Sequence, residues 1–112
     1  MTAAHVKRPG EPTTEDCPMR AAMGAIGGKW SLIILYWLDS APRRFNELQR
    51  LVPDISHKVL TEVLRTLEDE SLITRTADVG QVEYAISAHG RSLRPLIDAI
   101  HDWGQTHLAR EA

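Results

Sequence analysis

Near the start of the chain, apolar residues recur with helical spacing in two segments. The first segment has apolar residues three or four positions apart: Met19, Ala22, Met23 and Ile26. The pair Gly27 and Gly28 interrupts this pattern, and a denser apolar run covers residues 30–38. We therefore predict two helices with a bend between them. The second helix is apolar on almost every side and too short to span a membrane, so it is predicted to be the central helix of the core.

A turn, an extended stretch and a short helix are predicted next. Residues 39–42 have the Asp-Ser-Ala-Pro composition of a turn, and residues 43–45 are predicted to be extended. Asn46 is a suitable N-cap, because its side chain can accept a hydrogen bond from the amide of Gln49. The helix is predicted to end at Val52, since the proline at position 53 disfavours a helical conformation in the residue before it.

The next helix is predicted to begin after Ser56, which can cap it, and this helix has two contrasting faces. One face is apolar: Leu60, Val63, Leu64 and Leu67. The opposite face carries only charged or hydrogen-bonding groups: His57, Lys58, Thr61, Glu62 and Arg65. This spacing predicts a helix that packs on the core through its leucines and presents the polar groups on one side.

The remaining pattern predicts a β-hairpin followed by a terminal helix. Residues 72–76 and 82–87 are strand-like, and residues 78–81 supply the turn between them. Ser87 is predicted to cap the last helix, which carries one apolar stripe: Leu93, Leu96, Ile97, Ile100 and Trp103. The three tryptophans, Trp30, Trp37 and Trp103, are predicted to belong to the core rather than to a ligand cage.

Length and composition indicate one domain preceded by an arm. The chain has 112 residues, of which 43% are hydrophobic, and this suits one folded domain over residues 17–112. Residues 1–16 are polar, contain Pro9 and Pro12 and show no period, so we predict a flexible arm. Because no apolar run approaches ~20 residues and no secretory signal is present, we expect a cytoplasmic protein. A single cysteine, Cys17, fits a reducing compartment.

The charge is unevenly distributed. The formal net charge is −2, but residues 29–65 hold six basic and four acidic side chains. This segment is therefore positively charged, and it contains the two-faced helix. An enzyme is disfavoured, because the sequence has no glycine-rich phosphate loop after a strand, no metal-ligand spacing and one cysteine without a nominated base. We predict no cofactor and no metal site.

The order of elements is that of a winged helix-turn-helix, mainly α-helical with a small β-hairpin wing. In such a fold the second helix enters the major groove, and basic groups around it hold phosphates. Lys58 and Arg65 can pair with guanine or phosphate, and Thr61 can meet a base or a thymine methyl. The predicted DNA-binding residues are Arg43, Arg44, Asn46, Ser56, His57, Lys58, Thr61, Arg65 and Arg75. The alternatives are an ordinary solvated helix face and a winged helix that binds protein rather than DNA.

Several short motifs occur in order along the chain: Cys17-Pro18, Ile26-Gly27-Gly28-Lys29-Trp30, Arg43-Arg44-Phe45-Asn46-Glu47-Leu48, Ile55-Ser56-His57-Lys58-Val59-Leu60-Thr61, Leu64-Arg65-Thr66-Leu67-Glu68, Val82-Glu83-Tyr84 and Gly90-Arg91-Ser92-Leu93. Their order and separations, from position 17 to about position 104, resemble the HxlR-type family of bacterial winged-helix transcription regulators. The resemblance implies a homodimer on a palindromic operator in double-stranded DNA, with the helix after Ser56 reading the bases. The first and last helices would form the dimer, and the residues assigned to its interface are Leu93, Ile97, Ile100 and Trp103.

Two features qualify the resemblance. Family members commonly have a longer, proline-containing wing with an arginine, whereas the tip here is short, which leaves Arg75 as the one basic group of the wing able to touch a phosphate. Some relatives use a cysteine near position 17 to sense oxidants or electrophiles, so Cys17 is either such a sensor or a structural thiol. A helix start and Arg20 would favour its thiolate, while Glu15 and Asp16 oppose it. The expected effector is thus a thiol-reactive compound or another small molecule.

Overall fold

The structure is a computed structural model that describes residues 17–110. The predicted arm, residues 1–16, lies outside the described residues, as do residues 111 and 112. Six helices and three strands follow one another over the described part of the chain: α1 Pro18–Ile26, α2 Gly28–Ser40, β1 Arg43–Arg44, α3 Phe45–Leu51, α4 His57–Asp69, β2 Ile73–Asp78, β3 Gln81–Ile86, α5 Ala88–Arg91 and α6 Arg94–Ala109. The predicted class, mainly α with a small β-wing, is confirmed.

The two N-terminal helices meet at the bend predicted for the glycine pair. The axes of α1 and α2 differ by 73°, and Gly28 has a φ of +64°, a conformation that glycine adopts without strain. The Ser31 hydroxyl donates a 2.9 Å hydrogen bond to the carbonyl of Gly27. α2 is the central helix, because Ile34, Leu35 and Leu38 on it are buried.

Within residues 17–110 no helix is by itself long and apolar enough to cross a membrane, and α1 and α2 reach that length and composition only as a bent pair.

The sheet has three antiparallel strands in the order β1-β3-β2. The hairpin of β2 and β3 was predicted, and its turn has Val79 and Gly80 at φ values of 51° and 78°, as the two central residues of a type I′ turn require. The pairing of β1 was not predicted. Arg43 lies opposite Tyr84 and Arg44 opposite Glu83, so the segment between α2 and α3 is tied to the base of the wing.

The C-terminal helical region is broken, so the prediction of one helix from Ser87 is wrong. Ser87 does act as an N-cap, with its hydroxyl accepting from the amide of Gly90 at 2.9 Å, but it caps the single-turn helix α5. The long helix α6 begins only at Arg94. A continuous helix would need a hydrogen bond from residue 95 to the carbonyl of Arg91, and Pro95 has no N–H to donate.

An ion pair connects the end of α2 to the start of α6. The Arg94 guanidinium donates to both carboxylate oxygens of Asp39, with the shortest N···O distance 2.7 Å. The hydrogen bond from Arg94 lowers the pKa of Asp39, burial opposes this shift, and the charges of Arg94 and Arg91 add to the lowering. The pair fixes the point at which α6 leaves the core.

Two predictions about apolar side chains need correction or refinement. Trp30 and Trp37 pack against the core as predicted, but Trp103 is 66% exposed, so its assignment to the core is wrong. Of the residues assigned to a dimer contact, Ile97 is buried in the chain itself and Leu93 packs on the same core. Ile100 and Trp103 are the two that remain exposed, because they lie about 60° and 120° around α6 from the buried Ile97.

Candidate nucleic-acid interface

The position and rotation of α4 follow from its cap and its leucines. The Ser56 hydroxyl accepts a hydrogen bond from the Val59 amide at 3.1 Å, as predicted for its N-cap role. Leu60, Leu64 and Leu67 are buried, so this stripe holds the helix on the core. The opposite side of α4 is therefore directed to solvent.

The outward face of α4 has the dimensions of a groove reader. At 100° per residue, His57, Lys58, Thr61 and Arg65 lie within an arc of about 100°, and they span about 12 Å along the axis. That length matches the width of the major groove, ~12 Å. His57, Lys58 and Arg65 are exposed and Thr61 is half-buried. The structure thus brings these four predicted residues together.

The two cations of this face are available to a ligand. Within residues 17–110, neither Lys58 nor Arg65 forms an ion pair. The Thr61 hydroxyl donates to the His57 carbonyl at 2.9 Å, which leaves its methyl group and oxygen lone pairs for contacts. The His57 ring lies 4.6 Å from the Phe45 ring, so α3 supports the first residue of α4.

The start of α3 differs from the prediction. Arg44, not Asn46, is the N-cap, and its amide donates to the Glu47 carboxylate at 2.7 Å. Asn46 is the second helical residue and is exposed. Because β1 ends at Arg44, the helix begins two residues earlier than the sequence predicts, and a carboxylate in the first turn replaces the expected side-chain cap.

A polar hollow next to α3 contains a residue that the sequence reasoning did not select. It is lined by Pro42, Arg44, Asn46, Glu47, Arg50 and Glu83. Arg50 is exposed and stands four residues after Asn46, so both lie on one face of α3. That i, i+4 spacing was visible in the sequence. Arg44, Asn46 and Arg50 form a second group of donors able to hold phosphate oxygens.

Two other predicted DNA-binding residues, Arg43 and Arg75, do not line the hollow beside α3. The Arg43 guanidinium donates to the Ser40 hydroxyl at 2.7 Å and to the Trp37 carbonyl at 3.3 Å, so it stabilises the C-terminal end of α2. Arg43, Tyr84 and Arg75 are neighbours across the three strands. Arg75 therefore lies on the opposite sheet face from Arg44. Neither Arg43 nor Arg75 therefore belongs to the group of donors formed by Arg44, Asn46 and Arg50.

The wing itself is weakly acidic. Strands β2 and β3 contain one basic residue, Arg75, and two acidic residues, Asp78 and Glu83. Helix α4 has the same formal charge of −1, but its two cations, Lys58 and Arg65, are both on the outward face. Phosphate attracts cations, so this face of α4 rather than the wing carries the favourable electrostatics.

Cys17 lies outside this surface. It occupies the N-cap position of α1 and is half-buried, and its carbonyl accepts from the Ala21 amide at 2.9 Å. Any influence of Cys17 on α4 would therefore act through the packing of α1.

Comparison with known proteins gives consistent results. The family model described as HxlR-like helix-turn-helix matches residues 25–112. The HTH-type transcriptional regulator YdeP of Bacillus subtilis is 39% identical over 99 residues, which cover 86% of this chain and 77% of YdeP.

Solved structures agree in fold. The crystal structure of the HTH-type transcriptional regulator YtcD has a TM-score of 0.79 and 40% identity, covering 83% of this chain and 98% of that one. The redox regulator HypR in its oxidised form has a TM-score of 0.78 and 34% identity, covering 80% and 96%. With the helix-turn-helix of α3 and α4 and the wing of β2 and β3, these matches show that the chain belongs to the HxlR-like helix-turn-helix family of transcriptional regulators.

Proposed function

We propose that the protein is a sequence-specific regulator that binds a palindromic operator as a homodimer in the cytoplasm. The observation that carries this proposal is the outward face of α4, where His57, Lys58, Thr61 and Arg65 stand together while the leucines behind them are buried. In the proposed complex this face lies in the major groove. Arg44, Asn46 and Arg50 contact phosphates, and Ser56, Arg43 and Arg75 lie at the margin.

A homodimer explains the exposed apolar side of α6. Ile100 and Trp103 are exposed on a helix whose other side packs on the core, and a two-fold contact would cover them. Two copies would then present two α4 helices to half-sites one helical turn apart, about 34–36 Å. A palindromic operator is the DNA counterpart of that symmetry.

The decisive experiment selects DNA from a random pool with the full chain and then measures binding at several salt concentrations. We expect a two-fold symmetric sequence, and an affinity that falls steeply with salt because bound lysine and arginine release counterions. The alternative, a winged helix that binds protein and not DNA, predicts no enriched sequence. Recovery of an asymmetric single site would contradict the homodimer while leaving DNA binding in place.

We further propose that a thiol-reactive signal acts through Cys17. This is supported by the likeness to the redox regulator HypR and by the position of Cys17 at the start of α1. One thiol per chain allows an intersubunit disulfide, a mixed disulfide with a small thiol or a transient sulfenic acid. Each would alter the packing of α1, and with it the separation of the two reading helices.

Treatment with diamide is expected to change the operator affinity of the wild type about tenfold or more, which is ~1.4 kcal/mol, and dithiothreitol should restore it. The Cys17→Ser variant is the matched control and should not respond. Equal responses of the two proteins, or no response of the wild type, would assign Cys17 a structural role and leave a small-molecule effector as the alternative.

A further inference from the structure

An apolar cleft separates the exposed sides of α2 and α6. Its volume is about 300 Å³. Ile33 and Tyr36 line it from α2, and Ile100 and His101 line it from α6. The Tyr36 and His101 rings are stacked at a centroid distance of 5.5 Å with their planes 13° apart. The cleft thus offers apolar walls and, at one edge, a phenol hydroxyl and an imidazole as its polar groups.

A large side chain that could fill such a cleft projects from the same helix. Trp103 is 66% exposed, although tryptophan is on average a highly buried residue. Its ring stacks on His107 at 4.8 Å. Leu96, Ile100 and Trp103 follow one another at i, i+4 and i+7, so the tryptophan continues an exposed apolar stripe beside the cleft.

The exposed apolar surface of the three helices is large enough for a stable dimer. Eight large apolar side chains of α1, α2 and α6 are exposed: Met19, Met23, Ile33, Tyr36, Leu96, Ile100, Trp103 and Leu108. At on the order of 100 Å² each, they provide about 800 Å², which is one partner's share of a standard interface.

We propose that the cleft between α2 and α6 receives Trp103 of a second copy of this chain, and that two copies exchange these side chains reciprocally. The inference rests on the proposed homodimer and identifies its central contact. In a two-fold interface the same surface both gives and receives each contact. Here the inserted group and the receiving cleft lie side by side on α6, so one surface carries both and the assembly closes at two copies.

The chemistry of the cleft suits an indole. A buried indole needs an acceptor for its N–H, since tryptophan N–H groups find a hydrogen-bond partner when buried. The hydroxyl oxygen of Tyr36, which lines the cleft, is such an acceptor. The apolar side chains of Ile33 and Ile100 then cover the ring faces.

The first test measures the dimer dissociation constant by sedimentation. Trp103→Ala is expected to raise it about 100-fold or more, because each dimer holds two copies of a buried aromatic contact. Val79→Ala removes an exposed apolar side chain at the tip of the wing, away from the three helices, and it should change the constant less than about threefold. The effects of Trp103→Ala and Ile33→Ala should be non-additive, because the two side chains touch across the interface.

The second test does not depend on any destabilising variant. The full chain labelled with 5-fluorotryptophan gives ¹⁹F resonances that Trp103→Phe assigns. The Trp103 resonance should lose its H₂O-to-D₂O solvent shift as the protein concentration rises through the dissociation constant. A dimer in which this resonance stays solvent-exposed overturns the present proposal only. A full-length chain that stays monomeric at tens of micromolar overturns the homodimer itself.

Discussion

Replacing Gly90 with alanine is expected to lower the free energy of unfolding by about 3 kcal/mol or more. Gly90 is buried in α5, and a Cβ at this position would overlap the carbonyl oxygen of Leu72 and lie 2.7 Å from Cγ1 of Ile86. The Leu72 carbonyl also accepts from the Ser87 amide at 3.0 Å. The obstacle is hydrogen-bonded backbone, so relief requires moving α5 away from the wing.

Urea unfolding of Gly90→Ala, followed by circular dichroism at a fixed protein concentration, measures this loss. Gly24→Ala is the matched control, because nothing lies within 4 Å of a Cβ added in α1. Alanine is the better helix former by up to about 1 kcal/mol, so Gly24→Ala should be neutral or stabilising. A Gly90→Ala variant as stable as the wild type would show that α5 is not packed against the Leu72 carbonyl.

The largest loss of function is expected for Arg65→Ala, which should lower affinity for the selected operator about 10- to 100-fold. Arg65 is exposed on α4, about 12 Å along the axis from His57. Its removal leaves the leucine stripe of α4 untouched, so the unfolding midpoint should not change. Fluorescence anisotropy with labelled operator measures the affinity.

Two further variants separate the possible roles of Arg65. Arg65→Lys keeps the charge but loses the bidentate fork that recognises guanine. If Arg65 reads a base, Arg65→Lys should bind weakly and relax the selected sequence at one position in each half-site. If it holds a phosphate, lysine should restore most of the affinity. Arg91→Ala, a charge change on α5, is the control, and an equal effect there would remove Arg65 from the interface.

The sequence predicted correctly those features whose interacting groups lie a few positions apart in the chain. The Ser56 cap lies three residues from its donor, the leucine stripe of α4 repeats within one helix, and the Val79-Gly80 turn closes a hairpin of adjacent strands. In each case the partner groups are a few positions apart. Local spacing is therefore enough to predict both the two-faced helix α4 and the wing.

Most of the errors arise where contacts between segments far apart in the sequence determine the local structure. Asn46 is not the cap because β1 pairs with β3, some forty residues further along the chain. The same pairing brings Glu83 of β3 into the hollow that Arg44 and Arg50 line. Arg43, in contrast, bonds to Ser40 and Trp37, which are only three and six residues away. Trp103 matches a core pattern, yet it lies about 120° around α6 from the buried Ile97 and is 66% exposed. The break before Pro95 was visible in the sequence, because proline cannot complete a helix through that position.

The base of the hairpin wing is constrained by packing on the core, whereas its tip is free to change in length. Ile73 and Ile86 face each other at its base and are buried, whereas Val79 at the tip is 92% exposed. Adding two residues to each strand would preserve the facing of every side chain and leave the base unchanged. The reach of the wing over DNA can therefore evolve, or be engineered, by insertion at residues 79 and 80 without a compensating change in the core.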